Sequence, residues 1–296
     1  MNPHNTPLRY PGGKQRLAPF VIELLRANRL IGGDYAEPFA GGAGVAINLL
    51  LSNRVQHIHL NDSSPAIYAF WRSLQRQPEE FCRRIAGASL TVDEWRRQRQ
   101  ILFHARDVPQ LELGFSFFYL NRCNRSGIPN GGVIGGLHQR GPWKMDARFP
   151  RNELIRRVES IADRRKQMTV TNLDAEAFIK SIVPKMPRKT LVYCDPPYFH
   201  QSDRLYLNYY KPEDHVGLAS TIQKYLKRPW LVSYDNVREI RKCYAKRRSV
   251  FCKVQYNAAR AYTGTEIFFL SDGLKFPRDA SARCLMGVKP APKLAR

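Results

Sequence analysis

Residues 191–198 read LVYCDPPY, a short apolar run stopped by a carboxylate, two prolines and a tyrosine. Each proline fixes its own φ and restricts the residue before it, so the turn holds Asp195 and the Pro196 carbonyl in fixed directions. Two acceptors aimed at one point suit the two N–H bonds of an exocyclic amine. On adenine that nitrogen's lone pair is delocalised into the ring. Accepting both N–H bonds favours a tetrahedral nitrogen with a localised, nucleophilic pair. Tyr198 offers an aromatic face for a base, and a base taken out of a duplex must first leave its stack. The plain alternative for Asp195, Pro196, Pro197 and Tyr198 is a stiff turn closing a strand. Cys194 reads as a core residue of that strand. No Pro-Cys pair, the setting expected for a carbon-5 cytosine nucleophile, occurs in the chain.

A second stretch, YAEPFAGGAGVAINLLL (35–51), reads as a strand, a glycine-rich turn and a helix. Glu37, Pro38 and Phe39 lead into Gly41, Gly42 and Gly44. Such glycines let backbone approach a ligand, and the helix start offers free N–H groups. The next strand, VQHIHLND, ends in Asp62, where an acidic side chain can accept from ribose hydroxyls. Tight strand-to-helix packing is the alternative for the glycines, and capping of the following helix for Asp62. No G-x-x-x-x-G-K-[ST] run is present, so a phosphate-free nucleoside fits best, and S-adenosylmethionine is the candidate. In RYPGGK, Tyr10, Gly12, Gly13 and Lys14 can supply its carboxylate-binding group, or can be only a proline-glycine turn.

The elements that must carry these residues follow from periodicity. Strands are expected at 34–39, 55–62, 167–174, 190–195, 229–235, 249–256 and 266–271. Helices are expected near 15–28, 43–52, 64–76, 151–163, 213–227 and 236–245. Alternation of the two implies an α/β, Rossmann-like, mostly parallel seven-stranded sheet, with the last two strands as an antiparallel hairpin. The rhythm breaks from about 71 to 150, where a helical segment passes into a Gly-, Asn- and Arg-rich run. The expected division is therefore 1–70 with 151–273 as a catalytic domain, 71–150 as an inserted, mainly helical recognition domain, and 274–296 as a loose basic extension.

At 296 residues, 43% of them hydrophobic, the chain can bury a real core. No apolar run approaches the roughly 20 residues that span a bilayer. The six cysteines are scattered without a C-x-x-C pair, so neither a metal site nor a disulfide framework is expected, and a cytoplasmic setting is. Lys and Arg number 48 against 25 Asp and Glu, a formal net charge of +23 spread along the chain. That excess favours a nucleic-acid partner over an anionic membrane.

Taken in order, YPGGK (10–14), AEPFAGGAGV (36–45), Asp62, FFYLNRCNRSGI (117–128) and DPPY (195–198) resemble the Dam-like, alpha-group adenine-specific DNA methyltransferases. The resemblance spans roughly residues 6–272. It implies site-specific methylation of adenine in double-stranded DNA by base flipping and direct transfer from S-adenosylmethionine. It implies cofactor contacts at Tyr10, Lys14, Phe39, Asp62 and Asp195, with DPPY also holding the target amine. Asp174 stands where the family often places a residue near the cofactor's adenine, and a helix N-cap is its alternative. Residues 233–236 (SYDN) resemble a later strand-end motif beside the pocket, or are turn chemistry. The loop 199–215 either folds over an extruded base or is a surface loop.

In the segment 71–150, GATC-specific members continue after LNR with N-G-L-x-R. Here Ser126 replaces the asparagine and Asn130 stands where the arginine would be, which leaves the target sequence open. Arg122, Asn124, Arg125, Ser126, Asn130 and Arg140 are the expected DNA contacts. A monomer is expected, with any restriction or defence partner unnamed. Two rivals remain. One is an amino-methyltransferase for cytosine or RNA. The other is a DNA-binding or defence component that binds cofactor without turnover.

Overall fold

In a computed structural model of the chain, residues 6–9, 14–104, 106–199, 210–257, 261–277 and 285–289 are described. Tyr10, Gly12, Gly13 and the loop 200–209 lie outside them. All seven expected strands form: β1 (Asp34–Glu37), β2 (His57–Asn61), β3 (Met168–Thr171), β4 (Thr190–Cys194), β5 (Trp230–Asp235), β6 (Arg248–Asn257) and β7 (Ala261–Leu270). An eighth, β8 (Leu285–Lys289), comes from within the stretch read as a loose extension and pairs antiparallel with β6. The sheet order is β3-β2-β1-β4-β5-β7-β6-β8. The pairs among β3, β2, β1, β4 and β5 are parallel, and β7 runs antiparallel between β5 and β6. The chain thus has a mixed, Rossmann-like α/β sheet. β7 begins at Ala261, five residues before the expected start, because its pairing with β6 continues to Asn257–Ala261.

Both faces of the central strands are covered: β1 and β4 are buried at every position, and β4, TLVYC, accordingly reads as a nearly continuous apolar run rather than an alternating one. Tyr35, Leu191, Tyr193, Leu231 and Phe268 enter a core shared with α1 (Ala18–Ala27), α2 (Gly44–Leu51) and α3 (Pro65–Arg76). Ala36, Val192, Cys194, Val232 and Phe269 enter the opposite core, beneath α8 (Ala175–Ser181) and the helices Pro212–Tyr225 and Arg238–Cys243. Cys194 is fully buried there. The periodicity reading overlooked α8, only seven residues long and too short for a clear apolar stripe.

Between β2 and β3 the chain forms α3, α4 (Pro78–Gly87), α5 (Val92–His104), α6 (Gln110–Cys123) and α7 (Arg151–Ala162). The expected boundary at 71 falls inside α3, with no linker there. Helix α6 is apolar nearly all round because it is buried nearly all round. Phe118 stacks on Phe70 of α3 at 5.9 Å, so the insert's helices extend the first core. Gly114 permits this approach, since a Cβ there would lie 2.7 Å from the Ala69 carbonyl. Among the described residues no helix is long and apolar enough to cross a membrane.

Candidate active site at the carboxyl edge of the sheet

At the carboxyl ends of β1 and β2 the glycine loop and Asp62 are tied together. Asp62 accepts from the Gly41 amide through Oδ2 (2.9 Å) and from the Ser64 amide through Oδ1 (3.0 Å). Burial pushes its carboxyl up to about 6, against the pull of those two amides. The Gly41 carbonyl accepts from the Trp71 indole (2.9 Å), and the Gly42 carbonyl from the Thr6 hydroxyl (2.7 Å). Gly44 starts α2 against Gln15, where a Cβ would stand 2.9 Å from the Gln15 Cβ. Asn61 locks the strand ends, donating to the carbonyls of Pro38 (3.0 Å) and Leu173 (2.9 Å). Glu37 is buried and accepts from the Ala46 amide (3.2 Å); burial raises its carboxyl to about 8. Phe39 meets Tyr210 edge-on at 5.9 Å. Asp174 is exposed and caps α8, accepting from the amides of Glu176 (2.8 Å) and Ala177 (3.2 Å).

One strand along, β4 ends at the DPPY turn. Pro196, Pro197 and Tyr198 are buried, while the Asp195 side chain is 26% exposed. Asp195 Oδ1 accepts from the Ser233 hydroxyl at 2.5 Å and lies 3.4 Å from Lys14 Nζ. The Ser233 proton is thereby committed, so Tyr193 donates its own to Ser233 Oγ (2.8 Å). Asp235 accepts from the Phe199 amide (3.1 Å). Residues Ser233 and Asp235 of SYDN therefore brace the two ends of DPPY from the neighbouring strand. Burial pushes the Asp195 carboxyl up, Lys14 pulls it down and Glu266 pushes it up further.

Glu266 escaped the sequence reading. It lies on β7, fully buried, and pairs closely with Lys14. The Tyr198 hydroxyl donates to Glu266 Oε1 (2.7 Å) and accepts from Lys14 Nζ (2.8 Å). The available signal was a charge inside TEIFFLS, immediately before the apolar run Ile267–Leu270. Tyr198 is only 9% exposed and is held through its hydroxyl.

Two of the expected DNA contacts are internal instead. Arg122 is 7% exposed, and its guanidinium donates to the carbonyls of Arg148 (2.5 Å) and Pro7 (3.4 Å). Burial, with Arg9 and Arg157 nearby, pulls its pKa down to about 9. Asn124 is fully buried. It donates to the carbonyls of Ile128 (2.9 Å) and Pro129 (2.8 Å) and accepts from the Trp95 indole (2.7 Å). These side chains fold the loop after α6, and Asn121 clasps Arg9 to it through both backbone groups (2.8 and 2.6 Å). Arg125, Asn130 and Arg140 are exposed, and Ser126 is half-buried with φ +55°.

The run 131–145 is held from within by Gln139. That side chain donates to the carbonyls of Ile134 (2.8 Å) and Gly136 (2.6 Å) and accepts from the Met145 amide (3.0 Å). The run presents Trp143, 69% exposed, beside Pro142 and Lys144, with Arg140 on the same loop.

Comparison with solved structures finds the rRNA methyltransferase aviRa from Streptomyces viridochromogenes at 15% identity, covering 86% of this chain and 83% of that one, with a TM-score of 0.35. Protein LPL1258 from Legionella pneumophila str. Philadelphia 1 matches at 9% identity over 86% and 84% of the two chains, with a TM-score of 0.33. No curated protein matches significantly. A family model described as D12 class N6 adenine-specific DNA methyltransferase matches residues 10–258. That match runs through the glycine loop, the helical insert and the DPPY turn, and the chain belongs to the D12 class of N6 adenine-specific DNA methyltransferases.

Proposed function

We propose that the protein is an active, Dam-like enzyme that methylates the exocyclic amine of adenine in duplex DNA, using S-adenosylmethionine and a flipped base. The observation that carries this reading is Asp195, a part-exposed carboxylate flanked by buried prolines, on the strand adjacent to the one that leads into the glycine loop. The donor set beside it suits a nucleoside. Asp62 lies half-buried beside the glycine loop, where ribose hydroxyls can donate to it, and Phe39 offers an aromatic surface. S-adenosylmethionine, when bound, supplies a methyl group on a positively charged sulfur that departs as a neutral thioether.

The protein's own part is orientation and electrostatics. Asp195 accepts one N–H of the adenine amine and the Pro196 carbonyl accepts the other, localising the nitrogen lone pair for in-line attack; the nitrogen that has gained the methyl group then gives up its surplus proton through Asp195 to solvent. No covalent intermediate with the enzyme is needed. The Ser233 hydroxyl fixes which Asp195 oxygen is already occupied, and Lys14 favours the ionised form. On the insert, Arg125, Asn130, Arg140 and Trp143 face the DNA. Trp143 is suited to stacking, because its loop is already ordered before any base arrives.

The test is incubation with methyl-labelled S-adenosylmethionine and either duplex DNA or RNA, followed by identification of the modified nucleoside. N6-methyladenine in DNA is the expected product. Label in cytosine, in RNA alone, or cofactor binding without transfer would each replace this reading with one of its rivals.

A further inference from the structure

Lys14, Tyr198 and Glu266 come from three distant parts of the chain and meet behind the DPPY turn. Lys14 Nζ donates to the Tyr198 hydroxyl and pairs closely with Glu266. The Tyr198 hydroxyl donates to the same Glu266 oxygen. The side chains of Lys14 and Glu266 are 7% and 0% exposed. Such a buried pair is weak evidence for stability, since desolvating two charges offsets much of their attraction. Its geometry points to another use: one carboxylate holds the ring of DPPY and also the cation next to Asp195.

We propose that Glu266 is a positioning residue of the methyl-transfer centre, fixing the Tyr198 ring through its hydroxyl and taking up part of the Lys14 charge that would otherwise fall on Asp195. This rests on the reading of Asp195 as the acceptor of the target amine. Three restraints then converge on one turn. Ser233 holds the Asp195 carboxylate, Asp235 the Phe199 amide and Glu266 the Tyr198 hydroxyl. A turn fixed at three successive points does not swing when a base enters, which keeps the two acceptors on a single target nitrogen.

The electrostatic consequence has a definite sign. Asp195 is faced by Lys14 from the turn before α1, Glu266 from β7, Ser233 from β5, and Glu37 and Tyr35 from β1; Tyr193, Cys194 and Tyr198 lie on its own strand and turn. Tyr35, Tyr193 and Cys194 are all pushed far above neutrality, and Glu37 to about 8, so none of these four titrates in the acid range. Removing the Glu266 charge frees Lys14 to act on Asp195 and lowers the pH at which Asp195 ionises. Removing Lys14 does the reverse.

The experiment is single-turnover methylation of duplex DNA at saturating cofactor, from pH 5 to pH 8, for the wild type, Asp195→Ala, Glu266→Gln, Glu266→Ala and Lys14→Met. Thermal denaturation is followed in parallel. The acid limb of the Glu266→Gln profile is expected at lower pH than the wild type, and that of Lys14→Met at higher pH. Glu266→Ala, which cannot accept from Tyr198, is expected to lose roughly 100-fold in rate, and Glu266→Gln to recover most of it. A purely structural Glu266 would lower the melting temperature and leave the limb in place. Superimposable limbs for wild type and Glu266→Gln overturn the proposal while Asp195→Ala remains inactive. If Asp195→Ala methylates normally, the reading beneath fails, and this inference with it.

Discussion

Asp195 is pulled in opposite directions: burial and Glu266 favour its protonated form, Lys14 and the Ser233 hydroxyl its charged form. The charged carboxylate is the stronger acceptor for an amine N–H, so the second pair has to prevail at working pH. Asp195→Ala is expected to cut methyl transfer roughly 100- to 1,000-fold, the scale of losing one aimed polar group. DNA affinity by fluorescence anisotropy should stay within about twofold. Transfer at a comparable rate would remove Asp195 from the chemistry. Asp62 has its own signature. With its carboxyl raised to about 6, it gains a proton as pH falls through that value and loses an acceptor for ribose. Cofactor affinity measured calorimetrically should therefore weaken by about tenfold per pH unit below about 6 and stay level above it. In Asp62→Asn that dependence should vanish. A wild-type affinity flat from pH 5 to pH 7.5 would exclude Asp62 from the cofactor site.

At the scale of elements, α6 and the loop behind it separate polar side chains spent inside the protein from those left exposed. Arg122 and Asn124 stand beside Arg125 in sequence, yet their polar groups are spent on backbone carbonyls and on the Trp95 indole. Arg122→Met leaves the Arg148 and Pro7 carbonyls without that donor, and an unsatisfied buried acceptor costs about 1–3 kcal/mol. Urea denaturation should show a loss of that order, with DNA affinity of the folded protein unchanged. An Arg122 variant of full stability and weakened DNA binding would return this residue to the interface. The neighbouring loop is different in kind: Gln139 ties its backbone, so the exposed Arg140 and Trp143 are carried on an ordered support.

Over the whole molecule the excess of 48 basic over 25 acidic residues sets a long-range attraction for polyanions. That attraction is largely nonspecific and screened by salt, so individual contacts are separated by their salt dependence. Arg125→Ala and Arg140→Ala, each removing one exposed cation, should reduce the slope of log affinity against log salt by about 1 if they meet phosphates. If either reads a base, its loss should relax sequence preference more than it changes the slope. A variant with unaltered affinity, slope and preference would place that arginine away from the DNA.

Order, spacing and residue type were enough to locate the glycine loop, Asp62 and the DPPY turn, because each sits where a strand ends and chain direction must change. Local chemistry writes such junctions into consecutive residues. The strands were legible for a similar reason: β4 and β5, buried along nearly their whole length, read as apolar runs, and β3, buried on one face, alternates. What the sequence could not decide is which polar side chains are spent inside the protein. Arg122 and Asn124 look like DNA contacts until the fold surrounds them with carbonyls. Glu266 looks like one charge in an apolar strand until β7 is laid between β5 and β6. Lys14 and Glu266 are 252 residues apart, and only the tertiary structure makes them one ion pair behind the DPPY turn.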